Sequence, residues 1–159
     1  MSNNYSIHFF KLDELHKFLL KKKLLEQFTN IIIKYRNNST FNINLLYKEA
    51  ETYNNQVYFI LLTNNKQNNI ISICRISLSD KRNAYILSLV IVNEIYRNQG
   101  YGSKMILSLI NFINNNLNKF NKIILSVEKN NINAIALYKK IGFIIEKTNN
   151  DNYMMYLSL

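Results

Sequence analysis

Arg97, Gly100 and Gly102 set out the pattern R-x-x-G-x-G within LSLVIVNEIYRNQGYGSK, the stretch from Leu87 to Lys104. An apolar, β-branched run, Leu87 to Val92, leads into it, and an apolar-periodic helix follows at once. A strand that ends in a glycine turn and feeds a helix leaves backbone N–H groups pointing outward. The helix dipole adds about half a positive charge at that point. Glycine lets the main chain approach a ligand oxygen with no Cβ in the way, and it adopts positive φ freely. Such a turn is a pyrophosphate cradle, with Arg97 and Lys104 as counter-charges. The chain has three glycines and no proline in 159 residues, and two of the three lie here. The third, Gly142, lies in a second motif, NNINAIALYKKIGF, from Asn130 to Phe143.

Two nucleotide-binding readings fail on the residues. A Rossmann fingerprint needs a third glycine where Met105 stands, and no acidic ribose ligand follows in a second strand. A Walker loop needs G-K-[ST], which is absent. A tight strand–helix turn that binds nothing remains the bland alternative. Cys74 is the only cysteine, which excludes an internal disulfide and a C-x-x-C metal site. In its strand-like run, Ile70 to Leu78, it reads as a small buried hydrophobe. His8 and His16 lack Cys or His partners at ligand spacing, so no metal is expected.

The elements that must position these motifs follow from periodicity. Tyr5 to Phe10 reads as a strand, and Asp13 opens a helix with Leu15, Phe18, Leu19, Leu24, Leu25 and Phe28 as its apolar positions. Lys21 to Lys23 interrupt it, and a second helix runs to about Tyr35, ended by the polar residues 36–40. Phe41 to Tyr53 is ambiguous, although Leu45, Leu46 and Ala50 fit a short helix. Gln56 to Thr63 and Ile70 to Leu78 form a hairpin, and Ala84 to Val92 extends it to a meander after the turn Asp80 to Asn83. Ile106, Leu109, Ile110, Ile113 and Leu117 mark an amphipathic helix of about four turns. Lys122 to Val127 is a strand, and strand–helix–strand order makes it parallel to Ala84–Val92 with a right-handed crossover. Asn131 or Asn133 begins a helix carrying Ala134, Leu137, Tyr138 and Ile141 on one face. Phe143 to Lys147 and Tyr153 to Leu159 close the chain around the turn Thr148 to Asn152. The expectation is a single α/β domain, 1–159, with a mixed sheet and helices on both faces.

Net charge is +10 and the pI about 9.6, which suggests an anionic partner. The abundance of Asn, Ile, Lys, Tyr and Phe matches an A/T-rich coding sequence, which accounts for the same lysine excess and points to an A/T-rich organism or virus. The longest apolar runs, Tyr58 to Leu62 and Tyr85 to Val92, fall short of the roughly 20 residues that span a bilayer. The N-terminus has no secretion signal. A cytoplasmic protein, or one in the host cytoplasm if viral, with no membrane partner is expected. The formal glycosylation sequons at Asn37 and Asn38 therefore carry no weight.

The two motifs together, VNEIYRNQGYG and then N-x-x-A-x-x-L-Y-K-K-x-G-F, resemble the GNAT superfamily of acyl-CoA-dependent N-acetyltransferases. The likeness is close from Leu87 to Phe143, and the ending YMMYLSL is similar to the family's last strand; the first 80 residues match in element order only. It implies a GNAT-like fold in which the two parallel strands splay, and acetyl-CoA as co-substrate. Pantetheine would lie along Val90, Ile91 and Val92, bonding to the backbone of Val90 and Val92. The pyrophosphate would rest on Arg97, Asn98, Gln99, Gly100, Tyr101, Gly102 and Ser103. Asn131, Asn133 and Tyr138 would stand near the thioester.

The implied reaction is direct attack of a neutral primary amine on the thioester, from a protein N-terminus, a lysine or a small molecule. An amine of pKa near 10.4 lies about three units from neutral at pH 7, so deprotonation costs roughly 4 kcal/mol. Tyr138 stands at the family's tyrosine and is the candidate acid for the leaving thiolate; as a plain packing residue it would keep its ring in the core. No acidic residue lies on the strand before the glycine turn. Water is expected to take the amine proton, with Glu128 second, and Glu94 reads as a solvated turn residue. The acceptor side falls to the first two helices, including Lys21 to Lys23, and to Thr148–Asn152. Lysines there disfavour polyamines and lean towards an acidic peptide or a small neutral amine. Two other readings remain, a basic nucleic-acid-binding module and a degenerate acyl-CoA binder. Nucleic acid is not the expected partner, and the state is a monomer or homodimer.

Overall fold

A computed structural model of the chain describes residues 4–36, 41–54 and 56–159. The sequons at Asn37 and Asn38 and the polar residues after Arg36 lie outside them. The elements are β1 (Tyr5–Lys11), α1 (Leu12–Lys21), α2 (Leu25–Arg36), α3 (Ile43–Glu51), β2 (Val57–Asn64), β3 (Asn69–Ser79) and β4 (Ala84–Val92). Then come α4 (Tyr101–Asn116), β5 (Lys122–Glu128), α5 (Ile132–Ile141), β6 (Ile144–Thr148) and β7 (Asn152–Ser158). One seven-stranded sheet has the order β1-β2-β3-β4-β5-β7-β6, with β4 and β5 the parallel pair and the other neighbours antiparallel. This is the mixed α/β architecture expected. Helices α4 and α5 bury Met105, Ile106, Leu109, Ile113, Ile135 and Tyr138 on one face. Helices α1 to α3 bury Leu15, Leu19, Phe28, Ile32 and Leu46 on the other. No helix among the described residues is long and apolar enough to cross a membrane.

Three details correct the sequence reading. The ambiguous stretch forms α3, so three helices, not two, separate β1 from β2. Asn42 fixes its start by accepting a hydrogen bond from the Asn44 N–H at 3.0 Å. Helix α1 begins at Leu12 because the Glu14 carboxylate accepts the Lys11 N–H at 2.9 Å, leaving Asp13 and Glu14 in the first turn. On α5, Ile135 rather than Ala134 is the buried partner of Tyr138. With so few glycines, asparagine takes the left-handed turn positions. Asn54, Asn68, Asn83, Asn98 and Asn118 all have φ between 40° and 60°.

Strand β4 holds the architecture together. It pairs with β5 only at Tyr85–Ile123 and Ile86–Ile124, and beyond these residues the two strands part. On its other edge, the register with β3 slips between Arg75–Ser88 and Ile73–Ile91, so Leu89 and Val90 stand opposite Cys74. Leu89 has φ +52°, a conformation that costs a β-carbon residue about 1–2 kcal/mol. The bulge reverses the alternation. Tyr85 and Leu87 face α4 and α5, whereas Leu89 and Ile91 are buried beneath α1–α3. Burying Leu89 contributes about 2 kcal/mol, which offsets the strain.

A charged network braces the strand just before the bulge. Glu49 of α3 accepts two hydrogen bonds from Arg36 of α2, at 2.5 and 3.0 Å, and a third from Arg75 of β3. Arg75 in turn donates through Nε to the Ser88 Oγ at 2.9 Å. The Arg36 hydrogen bond, aided by Arg75 and opposed by partial burial, holds the Glu49 carboxyl below the usual carboxylate range. Glu49→Gln leaves two guanidinium groups together and is expected to cost about 2 kcal/mol at pH 7, the partial exposure having reduced the figure for a fully buried pair. A depressed carboxyl stabilises above its ordinary pKa, about 4.3, and loses that contribution as pH falls through the lower folded value. Denaturant unfolding at pH 7 and pH 3 should therefore show the gap between wild type and variant shrinking in acid. A gap independent of pH would make Glu49 a packing residue.

Candidate active site

Where β4 and β5 diverge, the chain enters the glycine turn through a short 3-10 turn, Glu94–Tyr96. The Asn93 N–H donates to Ile71 on β3, while the Val92 carbonyl accepts from Arg97 Nε at 3.2 Å. Val92 thus directs its carbonyl away from β3. Asn98 and Gly100 both adopt left-handed conformations, φ +60° and +80°, and bring the chain round to the start of α4. A Cβ on Gly100 would meet nothing within 4 Å. Gly100 is the N-cap residue and supplies no side chain, and the first turn has no acidic residue. Helices α3 and α5 are both capped by asparagine oxygens, so the open N–H groups of Tyr101, Gly102 and Ser103 distinguish α4. Arg97, Asn98, Gln99 and Gly100 are exposed around them. The result is a positively polarised, uncapped helix start, the kind of geometry that suits an anion.

Other groups around the turn are already engaged. Gly102 is small because α5 lies against it, and a Cβ there would come within 3.0 Å of Leu137 Cδ2. The Tyr101 ring packs edge-on against Tyr5 and Tyr96. The Lys104 ammonium sits over the Tyr5 and Tyr101 rings at 4.9 and 5.1 Å, so it is drawn towards the aromatic face. Glu94 is not a free turn carboxylate; it accepts from Lys34 of α2 at 2.6 Å, with Arg97 at 3.9 Å. That pairing, the Lys34 hydrogen bond first, holds its carboxyl below the usual range.

The remaining candidates lie on β3, β5 and α5. Tyr138 is 8% exposed, and its hydroxyl takes no protein hydrogen bond among the described residues. Burial pushes its phenol well up, with Cys74 and Tyr35 adding, so it remains protonated across the physiological range. Cys74 is fully buried and its thiol is likewise pushed up by burial. Asn131 caps α5, its side-chain oxygen accepting from the Ala134 N–H at 3.2 Å, and Asn133 is exposed in the first turn. Helix α5 therefore starts after Asn131. Gly142, at φ +113°, ends it; Phe143 N–H bonds to the Tyr138 carbonyl at 3.0 Å and Gly142 N–H to that of Lys139 at 3.0 Å. Glu128 is exposed at the end of β5, on the face opposite Val127 and hence opposite Tyr138.

Three cavities meet this region. The largest, about 700 Å³, lies between α2 and the end of β4; its wall includes Lys23, Tyr35, Ile91, Val92 and Arg97. A second, about 290 Å³, lies between Glu128 and the turn residues Asn150 to Asn152. The third, about 310 Å³, sits where β4 and β5 begin to part, between Ile86 and Ser126. Sequence reasoning gave the acceptor side to the first two helices without naming the α2 residues that line this cavity. Gln27, Ile31, Lys34 and Tyr35 recur at helical spacing beside the buried stripe of Phe28 and Ile32, a second face that periodicity could have marked.

A seven-stranded mixed sheet, a parallel pair that splays and an uncapped glycine turn at its mouth define an acyltransferase architecture. The acetyltransferase (GNAT) family model matches residues 23–143, and the chain belongs to that family. Its fold is similar to spermidine N-acetyltransferase from Vibrio cholerae in complex with CoA and spermine: 17% identity, TM-score 0.68, covering 99% of this chain and 96% of that one. It is also similar to Ard1 from Thermoplasma volcanium, at 18% identity and TM-score 0.71, with 98% of each chain covered. A third similar structure is PaiA N-acetyltransferase from Thermoplasma acidophilum in complex with coenzyme A: 16% identity, TM-score 0.67, covering 97% and 99%. No curated protein matches the sequence.

The packing of Gly102 against α5 is open to a double-mutant cycle. Gly102→Val is expected to destabilise by about 1–3 kcal/mol through overpacking. Part of that loss should disappear when Leu137→Ala is already present. Strict additivity in thermal unfolding would mean that Gly102 and Leu137 do not constrain each other.

Proposed function

We propose that the protein transfers the acetyl group of acetyl-CoA to a primary amine by direct attack in a ternary complex. The observation that carries this reading is the parting of β4 from β5 after Ile86–Ile124, beside a helix whose first N–H groups lack a cap. The residues present fit acetyl-CoA. Val92 offers an outward carbonyl that Arg97 holds, and Val90 lies two residues before it on the same edge. The Gly100–Ser103 N–H groups, with Arg97 and the Asn98 and Gln99 side chains around them, suit a pyrophosphate. Ile91 forms part of the wall between the gap and α2, and on this reading Asn131, Asn133 and Tyr138 of α5 stand near the thioester.

Bound acetyl-CoA supplies the activated acyl group. Tyr138 holds a proton at its hydroxyl, undiverted by any protein partner, and gives it to the departing sulfur. Glu128, on the other face of the sheet, is open to solvent and takes the amine proton directly or through water. The two proton roles thus fall on opposite faces, with the reacting carbon between them.

Thermal unfolding with acetyl-CoA tests the reading. At a 100-fold excess over Kd the stabilisation should be about 2.7 kcal/mol. Gly100→Asn keeps a residue tolerant of left-handed φ and should retain the shift, whereas Gly100→Asp puts a carboxylate against the cradle and should lose it. Equal shifts in the two variants would place the phosphates elsewhere. Binding with no turnover on any amine would leave only an acyl-CoA-binding protein. A clear shift with oligonucleotide alone would favour a nucleic-acid module. Tyr138→Phe should lower kcat by about 100-fold or more while acetyl-CoA binding stays unchanged. Equal losses in both would make Tyr138 a packing residue.

A further inference from the structure

The cavity of about 310 Å³ where β4 and β5 begin to part has a chemistry of its own. It opens on the face of Ser126 and Glu128, opposite α4 and α5, with Ile86, Ile124 and Met154 as an apolar floor. Tyr53, Ser79 and Ser126 add hydroxyls. Arg82 is the only charged side chain lining it among the described residues. The Arg82 guanidinium has one close partner, the Met154 sulfur at 3.9 Å from Nη1, and a thioether cannot neutralise it. Glu146, whose carboxyl feels the Arg82 charge, is held by Lys122 at 2.7 Å, and Asp80 of the same turn by Lys119 at 2.8 Å. An unneutralised guanidinium above an apolar floor recognises a carboxylate attached to a small aliphatic body. The volume, at the lower end for ligand pockets, matches a small molecule.

Resting on the acetyltransferase reading, we propose that the acceptor is a small amine that also carries a carboxylate, with Arg82 as its specificity-determining residue. Its carboxylate bonds to Arg82, its aliphatic part lies on Ile86 and Ile124, and its amine points along β5 past Ser126. Glu128 lies two residues further on the same face, about 7 Å away at strand rise. A polyamine needs carboxylates where this cavity presents a guanidinium. The cavity therefore selects against the spermine held by the similar Vibrio cholerae structure.

Isothermal calorimetry, with and without CoA, tests this by comparing amines that differ in the carboxylate. The pairs are leucine with 3-methylbutan-1-amine and 4-aminobutyrate with butan-1-amine, and spermidine is included. The wild type should bind at least one amino acid about tenfold or more tighter than its partner amine and than spermidine. Arg82→Gln, an exposed replacement that should leave the melting temperature unchanged, should abolish the difference. Tighter binding of spermidine or of the simple amines, no binding of either amino acid, or a preference that survives Arg82→Gln overturns the proposal. Turnover separates the two readings. Carboxylate-dependent binding without acetylation would sink the acetyltransferase reading and leave this site standing, while acetylation of spermidine in preference would do the reverse.

Discussion

Everything near the site depends on β4 being paired along one edge and released along the other. A regular strand would carry its side-chain alternation unbroken to Val92, and its free edge would continue to pair with β5. The bulge at Leu89 prevents both. An extra residue opposite Cys74 increases local twist and turns Leu89 and Ile91 into the core beneath α1–α3. The left-handed φ at Leu89 is tolerated because buried leucine contacts oppose its strain, and because Arg75, clamped by Glu49, holds Ser88 in place immediately before it. The gap is thus a built feature of the sheet.

That gap gains its electrostatic character from what the sequence withholds. Asparagine caps α3 and α5, yet the start of α4 has glycine at the cap and no acid in its first turn. Lys34 and Arg97 occupy the Glu94 carboxylate, which keeps the nearest acid from competing for the cradle. Gly102 lets α5 pack closely against the start of α4 through Leu137, with Tyr138 one residue on buried in the core. On the proposed reading, three effects of different origin, a missing cap, a neutralised acid and a missing side chain, make one anion site with Tyr138 as the proton donor.

The legible part of the sequence was the part where period and glycine speak together. Strand β4, the R-x-x-G-x-G turn, α4 and the Gly142 helix end were read within a residue or two, because a strand period, a positive-φ requirement and a helical period meet there. Helix α3 was harder; Asn42 as its cap is visible, but Ile43, Leu45, Leu46 and Ala50 within nine residues do not outweigh a loop. The bulge was illegible. Leucine gives no sign of left-handed φ, and only β3 reveals that two residues face one. Arg82 was also hidden, since an exposed arginine in a turn acquires meaning only when Ile86, Ser126 and Met154 are brought beside it from distant strands.

The absence of a carboxylate on β4 then bears on how the amine loses its proton. Ile86 and Ser88 face the acceptor side, and Ser88 is committed to Arg75, so the strand has no base to offer. By pairing with the acceptor's carboxylate, the guanidinium works in the same direction as a base, because it cancels the negative charge that would otherwise favour the ammonium form. Each unit by which the amine's pKa falls removes about 1.4 kcal/mol from the roughly 4 kcal/mol needed to bare its lone pair at pH 7. On the proposed reading, Arg82 therefore does two things with one charge. It holds the acceptor's carboxylate, and it makes the amine easier to deprotonate into the water around Glu128. A carboxylate in the same place would bind polyamines better and hold their protons more tightly, so the chain's missing base and its chosen acceptor are consequences of the same electrostatics.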